Sequence, residues 1–63
     1  SKMKFKELIL LLEKDGWYPV RQKGSHQQFQ KKKKKGTVTV AGKPNKDVPM
    51  GTLNNILKHA KLK

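Results

Sequence analysis

Cysteine is absent from the 63 residues, so neither a disulfide nor a thiolate-metal site can supplement a small core. That fits a reducing compartment. No apolar run approaches the roughly 18 residues needed to cross a bilayer, and the N-terminus lacks the pattern of a secretory signal. The expectation is a cytoplasmic protein without a membrane partner. Ser1 and Lys2 precede Met3, and the sequence leaves their origin open. Two histidines and four carboxylates, scattered along the chain, give no zinc or magnesium ligand spacing. The five glycines match neither nucleotide-binding fingerprint. No metal and no other cofactor are expected.

Acidic residues are the other scarcity. Sixteen Lys and Arg face four Asp and Glu, for a formal net charge of +12. Self-repulsion on that scale destabilises a small compact state unless a polyanion binds. Nucleic acid leads the partner classes, an acidic protein comes second and an anionic membrane surface third. The first helix argues against the membrane, because Lys4, Lys6, Glu7, Glu13 and Lys14 make its polar face mixed rather than strongly basic.

Residues 1–63 form one domain, and its elements follow from periodicity. Phe5, Leu8, Ile9 and Leu12 recur at helical spacing, widened by Leu11, within a helix over 4–15 that Gly16 stops. Trp17 to Lys23 reads as a strand, and Pro19 puts it at a sheet edge. His26–Gln30 and Thr37–Ala41 are two more strands; Val38 and Val40 face the core, Thr37 and Thr39 face out. Lys31 to Gly36 is a solvated loop, since five adjacent lysines repel one another and resist burial. Solubility and phosphate contact are equally good accounts of it. Leu53, Ile56, Leu57 and Ala60 form the apolar stripe of a second helix over 50–60, with Pro49 where a first turn accepts it. His59 lies off that stripe, at the surface. The fold class is α+β in the order α-β-β-β-α, a three-stranded antiparallel sheet with both helices on one face.

The stretch from Arg21 to Phe29 carries the chemistry. A two-residue turn at Gly24-Ser25 places Lys23 opposite His26, Gln22 opposite Gln27, Arg21 opposite Gln28 and Val20 opposite Phe29. Pairing the two apolar residues puts Lys23, His26, Arg21 and Gln28 together on the other, open face. One substrate class suits a lone histidine among cations. RNA brings its own nucleophile, the 2′-hydroxyl, and a histidine, which titrates near 6.5, can take that proton or donate one to the leaving 5′-oxygen. Arg21 and Lys23 would stabilise charge on the phosphate. Gly24 allows close backbone approach, and Ser25 offers a hydroxyl. Ser25 and His26, as neighbours pointing apart, do not make a nucleophile–base pair.

Three segments together resemble a known family: Gly-Trp at 16–17, Arg-Gln-Lys-Gly-Ser-His at 21–26 with Phe29, and Val-Pro-x-Gly-Thr-Leu-x-x-Ile-Leu-Lys at 48–58. They are similar to the HicA toxins of bacterial toxin–antitoxin systems, over nearly the whole chain. The resemblance implies a fold like a double-stranded-RNA-binding domain and an mRNA-cleaving, metal-independent endoribonuclease whose catalytic histidine corresponds to His26. It also implies a HicB-type antitoxin that covers the active face. One departure stands out. Many members carry Val-Pro-x-His after the third strand, where this chain has Val40-Ala41-Gly42-Lys43; Lys43 then replaces the second histidine in holding phosphate, or activity is weaker. The RNA-contacting set is Arg21, Lys23, Gly24, Ser25, Gln28 and Lys43. Two other readings share the fold: an RNA-binding module without chemistry, and a toxin remnant that only binds its antitoxin.

Overall fold

The computed structural model describes residues 3–63, and Ser1 and Lys2 lie outside the described residues. Chain order is α1 (Phe5–Lys14), β1 (Trp17–Lys23), β2 (His26–Lys31), β3 (Val38–Ala41) and α2 (Met50–His59). The three strands form one antiparallel sheet in the order β1-β2-β3. The order and sheet are those expected from sequence, and element ends differ by only a residue or so.

The core lies between the helices and one face of the sheet. Phe5, Leu8 and Leu12 from α1 meet Trp17, Phe29, Val38 and Val40 from the strands and Val48, Ile56 and Ala60 from the α2 side, all buried. Ile9, Leu53 and Leu57 pack partly buried at the margin. Both helical stripes thus do what their spacing requires. The opposite face of the sheet is left open.

Connections fix the ends. Gly16, at φ +101°, closes α1 in the left-handed conformation that favours glycine. At the start of α1, the first-turn amides of Phe5 and Lys6 donate to the carbonyls of Lys46 (3.0 Å) and Pro44 (3.1 Å). These are donors a helix cannot satisfy internally, and meeting them ties the 42–48 connection across the N-terminus of α1. Lys43 is held in place by that tie. Gly42 sits against Phe5 so closely that a Cβ there would overlap the aromatic ring.

The structure corrects two expectations. Val20 does not oppose Phe29: the register runs Lys23↔His26, Gln22↔Gln27 and Arg21↔Gln28, then shifts, so that Pro19 opposes Phe29. Val20 is the extra residue of a β-bulge and is 45% exposed. A proline next to the irregularity has a physical logic, since its missing N–H cannot serve a regular ladder. The second correction concerns the lysine run, which is not uniformly solvated. Lys31 ends β2 facing the helices, where its Nζ is 2.9 Å from Asp15 Oδ2. Lys34 reaches over the Trp17 ring, 6.0 Å from its centroid, and its Nζ donates to the Ala60 carbonyl at 3.4 Å. Partners make the half-burial of these two ammonium groups tolerable, while Lys32, Lys33 and Lys35 stay exposed.

Candidate active site

The β1–β2 turn has the geometry the sequence calls for. Gly24 has φ +60° and Ser25 is not among the residues with positive φ, the sign pattern of a type II′ turn with glycine first. That turn sets the pairs that follow. His26, the first residue of β2, lies between Lys23 on β1 and Ala41 on β3. The next row is Arg21, Gln28 and Thr39, and beyond the bulge comes Tyr18 opposite Gln30. Directly opposed side chains on a sheet have Cβ atoms about 4.5–5.5 Å apart, which keeps the two cations within reach of one phosphate beside His26.

The face assignment is settled by what lies behind the sheet. Phe29 is buried, so by alternation Gln27 shares its side and His26 and Gln28 point the other way. In agreement, Gln22 and Gln27 border a cleft with Ile9 of α1, and Gln27 Nε2 donates to Gln22 Oε1 at 3.4 Å. The open face therefore carries His26, Lys23, Arg21 and Gln28.

Gly24, Ser25 and Lys43 form a second group, at the hairpin end. They border that same cleft of about 280 Å³ together with Gln22, Gln27 and Ile9. It opens on the helix side of the sheet, so Lys43 stands at the rim beside the turn rather than in the row with His26. The link between the groups is the turn itself: the Gly42 amide donates to the Ser25 carbonyl at 3.1 Å, which carries the β2–β3 pairing one step past Ala41.

Two side chains of the open face were not anticipated. Tyr18 is 47% exposed and Val20 is 45% exposed. Tyr18 follows a buried Trp17 and so faces outward by alternation, whereas the Val20–Phe29 pairing expected from the sequence turns it inward. Only the bulge takes Val20 out of the core. Together they add an apolar, partly aromatic surface next to Arg21, of a kind on which an unpaired base can stack.

The electrostatics follow from where the acids are. All four lie at positions 7, 13, 15 and 47: three are on α1 or its C-terminal cap, and Asp47 sits beside the start of the same helix, where its backbone makes an isolated antiparallel β-bridge with that of Lys4. From Gly16 to Lys46 the chain has no carboxylate, so the charged side chains of the hairpin and open face are all cationic and the third strand is neutral. Asp15 is occupied: the Lys31 ammonium hydrogen-bonded to it holds its carboxyl below the usual range against the opposing effect of desolvation, aided to a lesser degree by the charge of Lys31 and by Trp17 Nε1–H donating at 3.2 Å. Among the described residues, no side-chain hydrogen bond reaches the His26 imidazole and no group of three His, Asp or Glu comes together as metal ligands. No helix of the described residues is long and apolar enough to cross a membrane.

The family described as "HicA toxin of bacterial toxin-antitoxin" matches residues 5–62, which is nearly all of the chain and includes every candidate site residue. No curated protein matches it. The chain belongs to the HicA toxin family, and membership in a toxin–antitoxin family implies an antitoxin partner.

Proposed function

We propose that this HicA-family chain is an mRNA-cleaving toxin that works through His26 without a metal or cofactor. The observation that carries the reading is the row Lys23–His26, backed by Arg21–Gln28, on an open sheet face with no acid in it. A phosphodiester lying across that row meets two fixed cations and one titratable imidazole.

The chemistry is a transesterification within the RNA. The 2′-oxygen attacks the adjacent phosphorus and the bond from phosphorus to the 5′-oxygen breaks. Neutral His26 accepts the 2′-hydroxyl proton, or its protonated form supplies one to the departing 5′-oxygen. One proton moves from the 2′- to the 5′-oxygen overall, leaving a 2′,3′-cyclic phosphate and a 5′-hydroxyl. Arg21 and Lys23 stabilise charge that builds up on the phosphate. Gln28 donates from its amide, and the Gly24-Ser25 turn brings a backbone edge and a hydroxyl close. Lys43, at the rim, holds a neighbouring phosphate. No side-chain hydrogen bond among the described residues orients the imidazole, and the expected turnover is slow.

The same unanchored imidazole favours a second reading, an RNA-binding module without chemistry. Expression of the chain separates the two. A nuclease arrests growth and His26→Ala lifts the arrest while remaining folded; a binding module behaves alike in both forms. The partner implied by the family is, in this reading, a HicB-type antitoxin that covers the cationic face, and its contact surface is acidic to match.

A further inference from the structure

A second cationic cleft lies at the far end of the sheet from His26. It is about 380 Å³ and is lined by Lys35, Lys58, His59 and Lys61, with Trp17 and Thr37 beside them. None of these lysines has a carboxylate partner; Lys31–Asp15 is the one salt bridge among the described residues. Cations at a helix C-terminus are ordinarily accounted for by its carbonyls, but here three of those are already engaged. The Ala60 carbonyl accepts Lys34 Nζ (3.4 Å), Leu57 accepts the Leu62 amide (2.8 Å) and Lys58 accepts the Lys61 amide (3.0 Å). The charges of Lys35, Lys58 and Lys61 are left for something outside the chain. Lys61 also adopts φ +59°, the left-handed position just past a helix that glycine usually fills.

This cleft is continuous with the His26 region. It shares Thr37, Val38 and His59 with a groove of about 450 Å³ that follows the free edge of β3 to Ala41, the residue opposite His26. Thr52, Asn55, Ile56 and His59 form the other wall; their spacing puts them on one stripe of α2. Ala41 to Thr37 spans roughly 13 Å of strand at about 3.3 Å per residue. The path is neutral and hydrogen-bonding in the middle and cationic at both ends.

We propose that the Lys35, Lys58, His59 and Lys61 cleft is a second phosphate subsite, occupied by the same RNA strand whose scissile phosphate lies at His26, with the β3–α2 groove as the track between. Hydroxyls, an amide and an imidazole along the track suit ribose and base edges. The unpaired lysines at its end suit a phosphate. The proposal rests on the reading that RNA occupies the His26 face.

The test is anisotropy of the full chain with a fluorescein-labelled 2′-O-methyl RNA, which has no nucleophile and cannot be cut, in two lengths: a trimer and one of about a dozen nucleotides. Lys58→Gln with Lys61→Asn removes two charges, and Asn tolerates the left-handed backbone. Lys6→Gln with Lys14→Gln removes the same charge from α1. The subsite predicts that the first double variant weakens the longer RNA about tenfold at low salt and lowers its salt slope by about 1.4, for two phosphates at ~0.7 each. The trimer and the α1 control change far less. If wild type cuts RNA and the longer oligomer keeps its salt slope in the first variant, or the control matches the first variant, the subsite is overturned and the nuclease reading stands. If the slope drops but wild-type protein never cuts, the subsite stands and the nuclease reading fails. Weakened binding of an acidic protein alone, with RNA binding intact, also overturns the subsite.

Discussion

Trp17 and Arg21 are four positions apart on one strand, an even separation that should put them on the same face, yet Trp17 is buried in the core and Arg21 lies on the open side. The extra residue at the bulge, Val20, reverses the alternation between them. If Val20 were instead a regular member of the ladder, anchoring Trp17 in the core would turn Arg21 and Lys23 toward the helices. The bulge lets one edge strand serve the core at one end and the cationic face at the other.

Deleting Val20 tests this directly. The deletion leaves Trp17 and Arg21 three positions apart, an odd separation that keeps them on opposite faces of a regular strand with the same partners across β2. The expected outcome is a folded chain with blue-shifted tryptophan fluorescence and RNA affinity within about threefold of wild type. A loss of tenfold or more in a folded deletion variant would contradict the reading of Val20 as the extra residue of the bulge.

Gly42 and Phe5 form a second close relationship. A Cβ at 42 meets the Phe5 ring, so Gly42→Ala overpacks the core and should lower unfolding free energy by about 1–3 kcal/mol in urea titrations. Shortening the ring relieves the clash. Phe5→Leu combined with Gly42→Ala should therefore lose less than the sum of the two single changes; strict additivity would show that the two residues do not meet.

The lysine run divides by position. Lys34→Ala removes a cation from the Trp17 face and a donor from the Ala60 carbonyl, and should destabilise the fold by about 1 kcal/mol. Lys32→Ala, at an exposed position, should stay within about 0.5 kcal/mol. Equal losses in thermal or urea unfolding would return the loop to the uniform, solvated segment expected from its composition.

Asp15 gives the chain an acid-sensitive fastening. Its carboxyl is held below the ordinary value of 3.8, chiefly by the Lys31 hydrogen bond. A folded-state pKa below the unfolded one means the contribution is complete above the unfolded pKa and disappears as pH falls through the folded value. Thermal midpoints from pH 6 downward should be level until near 4 and then decline. Asp15→Asn should flatten that decline; an equally steep one in the variant would assign it to other carboxylates.

The sequence makes the architecture legible because each element carries its own signal: two stripes at helical spacing, a clean Thr-Val alternation, and glycines at positions 16 and 24 where the chain turns with positive φ. The His26 neighbourhood is legible for the same local reason, since a two-residue turn fixes the three pairs nearest to it. What the sequence conceals depends on tertiary context. Nothing local distinguishes Val20 as a bulge from Val20 as a core residue, and both readings put Arg21 and Lys23 on the open face. Lys31 and Lys34 differ from their neighbours only by what stands opposite them, Asp15 in one case and Trp17 with Ala60 in the other. His59 is at the surface as its position off the stripe implies, but the clefts on either side of it exist only once α2 lies along β3.

The account depends most on His26, and one comparison tests it. Wild type and His26→Ala, each shown to be folded by circular dichroism, are incubated at low salt with an end-labelled single-stranded RNA. The account predicts cleavage by wild type with a 2′,3′-cyclic phosphate product and a rate at least about a hundredfold lower in the variant, the range that loss of a general acid–base removes. Equal cleavage by the folded variant contradicts it.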